Sequence, residues 1–271
     1  MAGSELITTA SFSPIASRYD ATREVPKAQL GACYERLVQR GLLPGQGLIL
    51  DAGCGTGQMS LVLAEMGYEI RGVDVSAEMV AIAQAKCGPG LQARYVVADV
   101  RSLPEHDASF DAIVVSKLFQ HVGDWPAAGR ELLRVLRPGA CIIEVNDRGA
   151  FGNAVRKHFS SRADALGYSQ RYIGLDPHDR APFVEFFVAR GCEAVAMEAA
   201  DLTWEKRVSY GEALSQLRER LFAEFWSLPR DAHERILADT ERWIDKQPEG
   251  RSKVEVMAPY LSVLAFRKPL Q

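Results

Sequence analysis

The stretch GLILDAGCGTGQMSLVLA, Gly47–Ala64, joins a short apolar run to a helix-like run through Gly53, Gly55 and Gly57. Residues 48–50 read as a buried strand, and QMSLVLAEMG reads as a helix ending near Gly67. A strand that turns so tightly into a helix leaves unpaired backbone N–H groups at the helix start, and glycine lets a ligand approach them closely. Phosphate and carboxylate are the groups such a turn receives. The spacing narrows the choice. A dinucleotide turn asks for G-x-G-x-x-G, whereas Gln58 holds the third place here and the glycine falls one residue early, at Gly57. No Gly-Lys-Ser/Thr follows, which excludes a P-loop. Asp51, just before the turn, suits an ammonium group and is an awkward neighbour for pyrophosphate.

Outward from this turn, strands and helices alternate. A helix pattern runs from Pro26 to a stop at Gly41. YEIRGVDVS reads as the second strand, with Ser76 placed to cap the helix AEMVAIAQAKC. ARYVVADV and FDAIVVSK follow as the third and fourth strands. WPAAGRELLRVLRPG is a helix opened near Pro126 and closed by Pro138-Gly139, and ACIIEVND is the fifth strand. Such alternation implies an α/β, Rossmann-like, doubly wound sheet, which binds ligands at the carboxyl ends of its strands. After Val145 the rhythm loosens into a polar helical segment, a helix at PFVEFFVARG, a strand within EAVAMEAADLTWEKRV, an all-helical stretch 209–246 and a closing strand at YLSVLAFRK. The reading is a single domain, its core spanning about 45–147, 179–208 and 253–268, with helical insertions at about 149–178 and 209–246.

Asp74 ends the second strand, about twenty positions after the first glycine, where a carboxylate accepts both ribose hydroxyls. Asp99 follows the third strand, where its side chain or the adjacent backbone can reach an adenine edge. An amino-acid part at Asp51, a ribose and an adenine together describe S-adenosylmethionine.

At this point the chain resembles a family. LDAGCGTGQMS, GVDVS, VVADV and LLRVLRPGA are similar, in order, to the motifs of class I S-adenosylmethionine-dependent methyltransferases over about residues 12–146. The resemblance implies a seven-stranded sheet of order 3-2-1-4-5-7-6 with strand 7 antiparallel. It carries cofactor roles onto Asp51, Gly53, Gly55, Gly57, Asp74, Asp99 and Val100, with Cys54, Val75 and Met79 beside them. SRYDATR resembles the cofactor-covering arm of small-molecule members, which adds Tyr19 and Arg23. The loop after the fourth strand, SKLFQHVGDW, should face the methyl, with Ser116, Lys117 and Gln120 lining the cofactor and His121 as candidate base. Cys54 reads as a small filler. NDR at 146–148 invites a metal, but Ser116 and Lys117 stand where the fourth strand would have to supply a carboxylate, so no metal is expected.

The 271 residues, 47% hydrophobic and 25% charged, have the balance of a soluble globular protein. A net charge of −3 offers no basic field for a polyanion. Five scattered cysteines without a CxxC pair read as reduced thiols, and MAGSELITTASFSP lacks the features of a signal peptide, so a cytoplasmic location is expected. No apolar run approaches a membrane span. The expected partner is a small-molecule methyl acceptor, without nucleic acid or membrane, the chain being a monomer or homodimer. A nucleic-acid or protein methyltransferase and a non-catalytic cofactor-binding protein are the alternatives. Within 209–246, Ser209 and Glu212 form a capping box and Asp231 can cap a second helix. The insertion is expected to cap the methyl, with Phe222 and Trp226 shaping the acceptor pocket.

Overall fold

The computed structural model describes residues 11–168 and 172–270; the expectation of a loose extreme N-terminus lies outside them. In chain order the elements are α1 (Ala16–Arg23), α2 (Lys27–Gln39), β1 (Leu48–Ala52), α3 (Gln58–Glu65), β2 (Glu69–Asp74), α4 (Ala77–Lys86), β3 (Ala93–Val97), β4 (Ala112–Val115), α5 (Trp125–Val135) and β5 (Cys141–Arg148). There follow α6 (Ala154–Ala165), α7 (Ala181–Val188), β6 (Glu193–Thr203), β7 (Lys206–Ser209), α8 (Tyr210–Arg218), α9 (Arg230–Asp245), β8 (Val254–Met257) and β9 (Tyr260–Arg267). They fall into two compact units. Among the described residues the first comprises 11–146, 173–202 and 261–270, and the second 147–168, 172 and 203–260.

The first unit is built on a seven-stranded sheet of order β3-β2-β1-β4-β5-β9-β6, with β9 antiparallel. This is the expected order, β9 taking the place of strand 7. The strands β1 to β5 pair in parallel, with Asp51 opposite Gly72 on one side and Val114 on the other. Strands buried on both faces need continuous apolar runs, and all four residues of β4 are buried. Leu50, Val73, Ile113, Val115 and Ile142 meet Leu132 of α5 and the aromatic side chains Phe119, Phe183, Phe187 and Phe266 in one apolar core. Because the strands run in parallel, the ends of β1, β2 and β4 deliver the glycine turn, Asp74 and Ser116 to one edge of the sheet.

The second unit packs α6, α8 and α9 around Val155, Phe159, Leu214, Leu217, Phe225 and Ile236. It also contains a two-stranded antiparallel ribbon, β7 with β8, that the sequence pattern did not reveal. The capping box is present: Ser209 Oγ accepts from Glu212 N–H at 3.1 Å and starts α8. The all-helical reading of 209–246 is corrected. Helix α8 stops at Arg218, Arg220 turns left-handed with φ 54°, and a short 3-10 turn at Ala223–Phe225 precedes α9. Asp231 does not cap α9 either. Pro229 holds the cap position and Asp231 lies in the first turn, where its charge meets the helix dipole. Among the described residues no helix is long and apolar enough to cross a membrane.

These two ends predict different costs. Ser209→Ala should lower the stability of the second unit by about 1 kcal/mol, and Asp231→Ala by only a few tenths, in urea denaturation followed by circular dichroism. Equal losses would contradict the assignment of the caps.

Candidate functional site

The glycine turn is fixed by backbone and carboxylate together. Asp74 accepts from Gly55 N–H through Oδ2 at 3.0 Å and from Ser76 N–H through Oδ1 at 2.9 Å. The N–H groups of Gly53 and Cys54 both donate to the Val73 carbonyl at 2.9 Å. Ser76 in turn caps α4 by accepting from Met79 N–H at 3.2 Å. Gly55 has φ 51°, and a Cβ there would meet nothing within 4 Å, so its face is open to a ligand. Gly57 is different. It is the cap residue of α3 with φ 78°, and a Cβ would come within 3.1 Å of Ala83 and 3.2 Å of the Tyr95 hydroxyl.

Two adjoining cavities open at this edge and share Tyr19, Gly53, Gly55, Ser116 and Lys117. The larger, about 630 Å³, is mostly apolar, with Phe12, Val75, Met79, Val100, Leu118 and Val122 in its wall alongside Asp74, Asp99 and His121. The smaller, about 450 Å³, is lined by Arg23, Asp51, Cys54, Thr56 and Gln58 among others. Asp51 is 2% exposed and its Oδ2 has no hydrogen-bond partner. Burial pushes its carboxyl up to about 7; a hydrogen bond from Ser60 opposes this and the nearby Asp74 adds to it. Asp74 is also raised by burial, against the backbone N–H groups that hold it. Asp99 goes the other way. Arg101 grips it, Nη2 to Oδ2 at 2.6 Å, and holds it below the usual carboxylate range. Both of its oxygens are engaged by its own neighbour.

Helix α1 supplies one wall. Arg23 stacks over Tyr19, 4.7 Å from the ring centroid. Asp20 accepts from the Thr56 hydroxyl at 2.5 Å and pairs with Lys86, which donates to the Thr56 carbonyl at 3.0 Å. Ser13 contacts the Ser76 hydroxyl at 2.8 Å and the Glu78 carboxylate at 2.5 Å. On the opposite wall Lys117 is left-handed with φ 52°, uncommon for a side-chain-bearing residue, and its N–H donates to Asn146 Oδ1 at 3.1 Å. His121 packs edge-on against Phe12 with ring centroids 4.8 Å apart. Burial, aided by the charges of Arg23 and Lys117, pushes its imidazole down to about 3. An ordinary imidazole was the basis for reading it as a base; burial and the two cations make this ring a weaker proton acceptor than that.

Most of the expected cofactor residues therefore meet in one groove: Tyr19, Arg23, Asp51, Gly53, Cys54, Gly55, Asp74, Val75, Met79, Asp99, Val100, Ser116 and Lys117. Gly57 and Gln120 line neither cavity. Gly57 serves helix packing, and the Gln120 side chain lies 3.2 Å from the His121 ring while its carbonyl accepts from Gly174 N–H at 3.2 Å. Cys54 is 6% exposed with its thiol pushed well up by burial, in keeping with a filler. Phe222, 4% exposed, sits in the core of the second unit with the Arg156 guanidinium 4.1 Å from its ring centroid, and Trp226 donates its indole N–H to the Arg220 carbonyl at 2.7 Å. Sequence reasoning missed Phe12, Leu118 and Val122. The last two are spaced four apart after β4, which was a usable signal, while nothing local marked Phe12.

The profile of the family described as "Methyltransferase domain" matches residues 49–139. The demethylmenaquinone methyltransferase of Thermus thermophilus is 36% identical over 166 residues, covering 58% of this chain and 74% of that protein. The malonyl-[acyl-carrier protein] O-methyltransferase of Serratia marcescens is 36% identical over 134 residues, 49% of each chain. Among solved structures, the YcgJ protein of Bacillus subtilis superposes with a TM-score of 0.58 at 18% identity, covering 90% of this chain and 99% of that one.

Gly57→Ala should cost about 1–3 kcal/mol of stability, since it combines a left-handed backbone with a contact that Ala83 or Tyr95 must yield to. Thermal unfolding of the purified variant checks this, and an unchanged midpoint would refute it.

Proposed function

The chain belongs to the class I S-adenosylmethionine-dependent methyltransferases, and we propose that its groove holds the cofactor by named groups and passes the methyl to a small molecule that brings its own acidic nucleophile. The observation that supports the cofactor reading best is Asp51. A buried carboxylate oxygen without a donor is costly, and a ligand ammonium would satisfy it. Pyrophosphate would make the same position worse. Asp74, already oriented by Gly55 and Ser76, retains acceptor capacity for ribose hydroxyls. Val75, Met79, Val100 and Leu118 give the apolar walls that an adenine needs. The residues fit the cofactor in charge, shape and order.

When bound, the cofactor supplies a methyl group already activated by a sulfonium. The protein then has to orient, exclude water and keep charge in place. Phe12, Leu118 and Val122 keep the larger cavity dry, and the Asn146 side chain fixes the left-handed Lys117 beside it. The neutral, weakly basic His121 is a wall and positioning residue in this reading. An acceptor whose nucleophile is already ionised or readily so, such as a carboxylate or an acidic phenol or enol, needs no protein base. The acceptors in the relatives' names, demethylmenaquinone and malonyl-[acyl-carrier protein], differ in kind and leave the choice within that class open.

Two measurements follow. Affinity for S-adenosylmethionine, by calorimetry, should fall about tenfold per pH unit below 7, because Asp51 must be ionised to pair with the ammonium and its carboxyl sits up at about 7 in the free protein. Asp51→Asn should bind weakly and without this slope; a flat profile in the unaltered protein would refute the pairing. Transfer of labelled methyl across a panel of carboxylates, phenols and amines should identify the acceptor class. With that acceptor His121→Gln should keep kcat within about tenfold, whereas loss of a general base costs about a hundredfold or more.

A further inference from the structure

The stretch 116–122, between β4 and α5, supplies five of the fifteen residues that line the larger cavity, so its placement decides the shape of that wall: they are Ser116, Lys117, Leu118, His121 and Val122. It consists of a left-handed residue, Lys117, followed by a single 3-10 turn at Phe119–His121. One such turn has little stability of its own, and its neighbours determine where it stands. At its start, Asn146 of β5 accepts from the Lys117 N–H through Oδ1 at 3.1 Å, against the cost of a left-handed backbone, φ 52°, in a residue that carries a Cβ. At its end, the Gly174 N–H donates to the Gln120 carbonyl at 3.2 Å and the Leu175 N–H to the Phe119 carbonyl at 3.0 Å. Leu175 is 4% exposed and lies in the same apolar core as Phe119, so this second support is itself anchored.

Gly174 is a glycine for want of space. Its φ lies outside the left-handed region, and what forbids a side chain is the turn itself. A Cβ at position 174 would fall 2.2 Å from the Phe119 carbonyl oxygen and 2.3 Å from that of Val122, backbone atoms that yield only if the turn moves. Such a movement would be felt across the cavity. Leu118 lies against the backbone of Gly53, its Cδ1 2.7 Å from where a Cβ on that glycine would stand. The glycine turn and the stretch 116–122 therefore meet at these two residues, and the supports at Asn146 and Gly174 set how the two loops face each other.

We propose that Asn146 and Gly174, which line neither cavity, are positioning residues for cofactor binding: they hold the stretch 117–122 in the conformation that the ligand requires, so that binding does not have to restore it. The proposal rests on the cofactor reading of the groove.

The test is a double-mutant cycle on the full chain, read by titration calorimetry with S-adenosylmethionine. In the unaltered background Asn146→Ala should weaken binding about fivefold or more, because Lys117 relaxes out of the left-handed region and the ligand has to return it. In a Lys117→Gly background, where glycine visits that region about as readily as the others, the same substitution should weaken binding at most about twofold. Gly174→Ala should weaken binding about fivefold or more through displacement of the turn. Ile173→Ala, at the exposed side chain beside it, should leave affinity within about twofold. Melting temperatures show which variants keep the fold, and if Gly174→Ala does not, the Asn146 cycle decides. Absence of binding by the unaltered protein would remove the cofactor reading and this proposal with it. In a protein that binds, equal losses from Asn146→Ala in the two backgrounds, or unchanged affinity in a folded Gly174→Ala, overturn the proposal alone.

Discussion

Asp74 joins two turns of the groove through one carboxylate. Its two oxygens take the N–H groups of Gly55 and Ser76, so a single carboxylate ties the glycine turn after β1 to the start of α4. Ser76 then caps α4 and touches Ser13, which brings the segment before α1 to the same point. Remove the carboxylate and three separate segments lose a common anchor. The constraint explains why the turn can be left-handed at consecutive alternate residues and still be rigid enough to present N–H groups to a ligand. The backbone N–H groups that Asp74 organises also oppose the upward shift that burial gives its carboxyl.

The parallel core was legible because strand ends carry their own punctuation. Asp51, Asp74 and the three glycines stand at positions that a doubly wound sheet must bring to one edge, and Ser76 and Ser209 announce helix starts by their hydroxyls. What the sequence did not separate is two uses of the same residue type. Gly55 and Gly57 are two positions apart and both left-handed, yet one is open and the other is pressed by Ala83 and Tyr95, a difference that depends on α4 and β3 arriving from elsewhere in the chain. The stripe Leu214–Leu217–Leu221–Phe225 read as one helix because tertiary packing can satisfy helical spacing with a broken path. Arg220 leaves the helix and Phe225 still reaches the core by way of a 3-10 turn. Asp231 had the right side chain for a cap but Pro229 was already in the cap position. The ribbon of β7 and β8 joins residues nearly fifty apart, beyond the reach of a local pattern.

His121 shows why a residue type is not a role. Histidine is chosen as a base for its ordinary titration near neutrality, and here its surroundings lower its affinity for a proton. Phe12 covers one side, and Arg23 and Lys117 place two positive charges nearby. An additional proton would have to enter a poorly hydrated, already cationic corner. The same two cations are suited to another purpose, since they would steady an acceptor that arrives as an anion. The same electrostatics underlie the proposal of an acceptor that has no need of a protein base.

The way α1 is attached decides what acts on it. Of its eight residues only Ala16 and Thr22 are buried, and its links to the body include the ionic and hydroxyl contacts of Asp20 and those of Ser13 just before it. Little apolar area opposes its departure, so its opening free energy belongs to the low end of the molecule's range, well below that of the sheet. Attraction between exposed charges weakens as salt rises, most strongly beyond about 8 Å at physiological ionic strength. One wall of the groove is thus held in place by polar contacts more than by apolar burial, and salt acts on the first kind of attachment and hardly on the second.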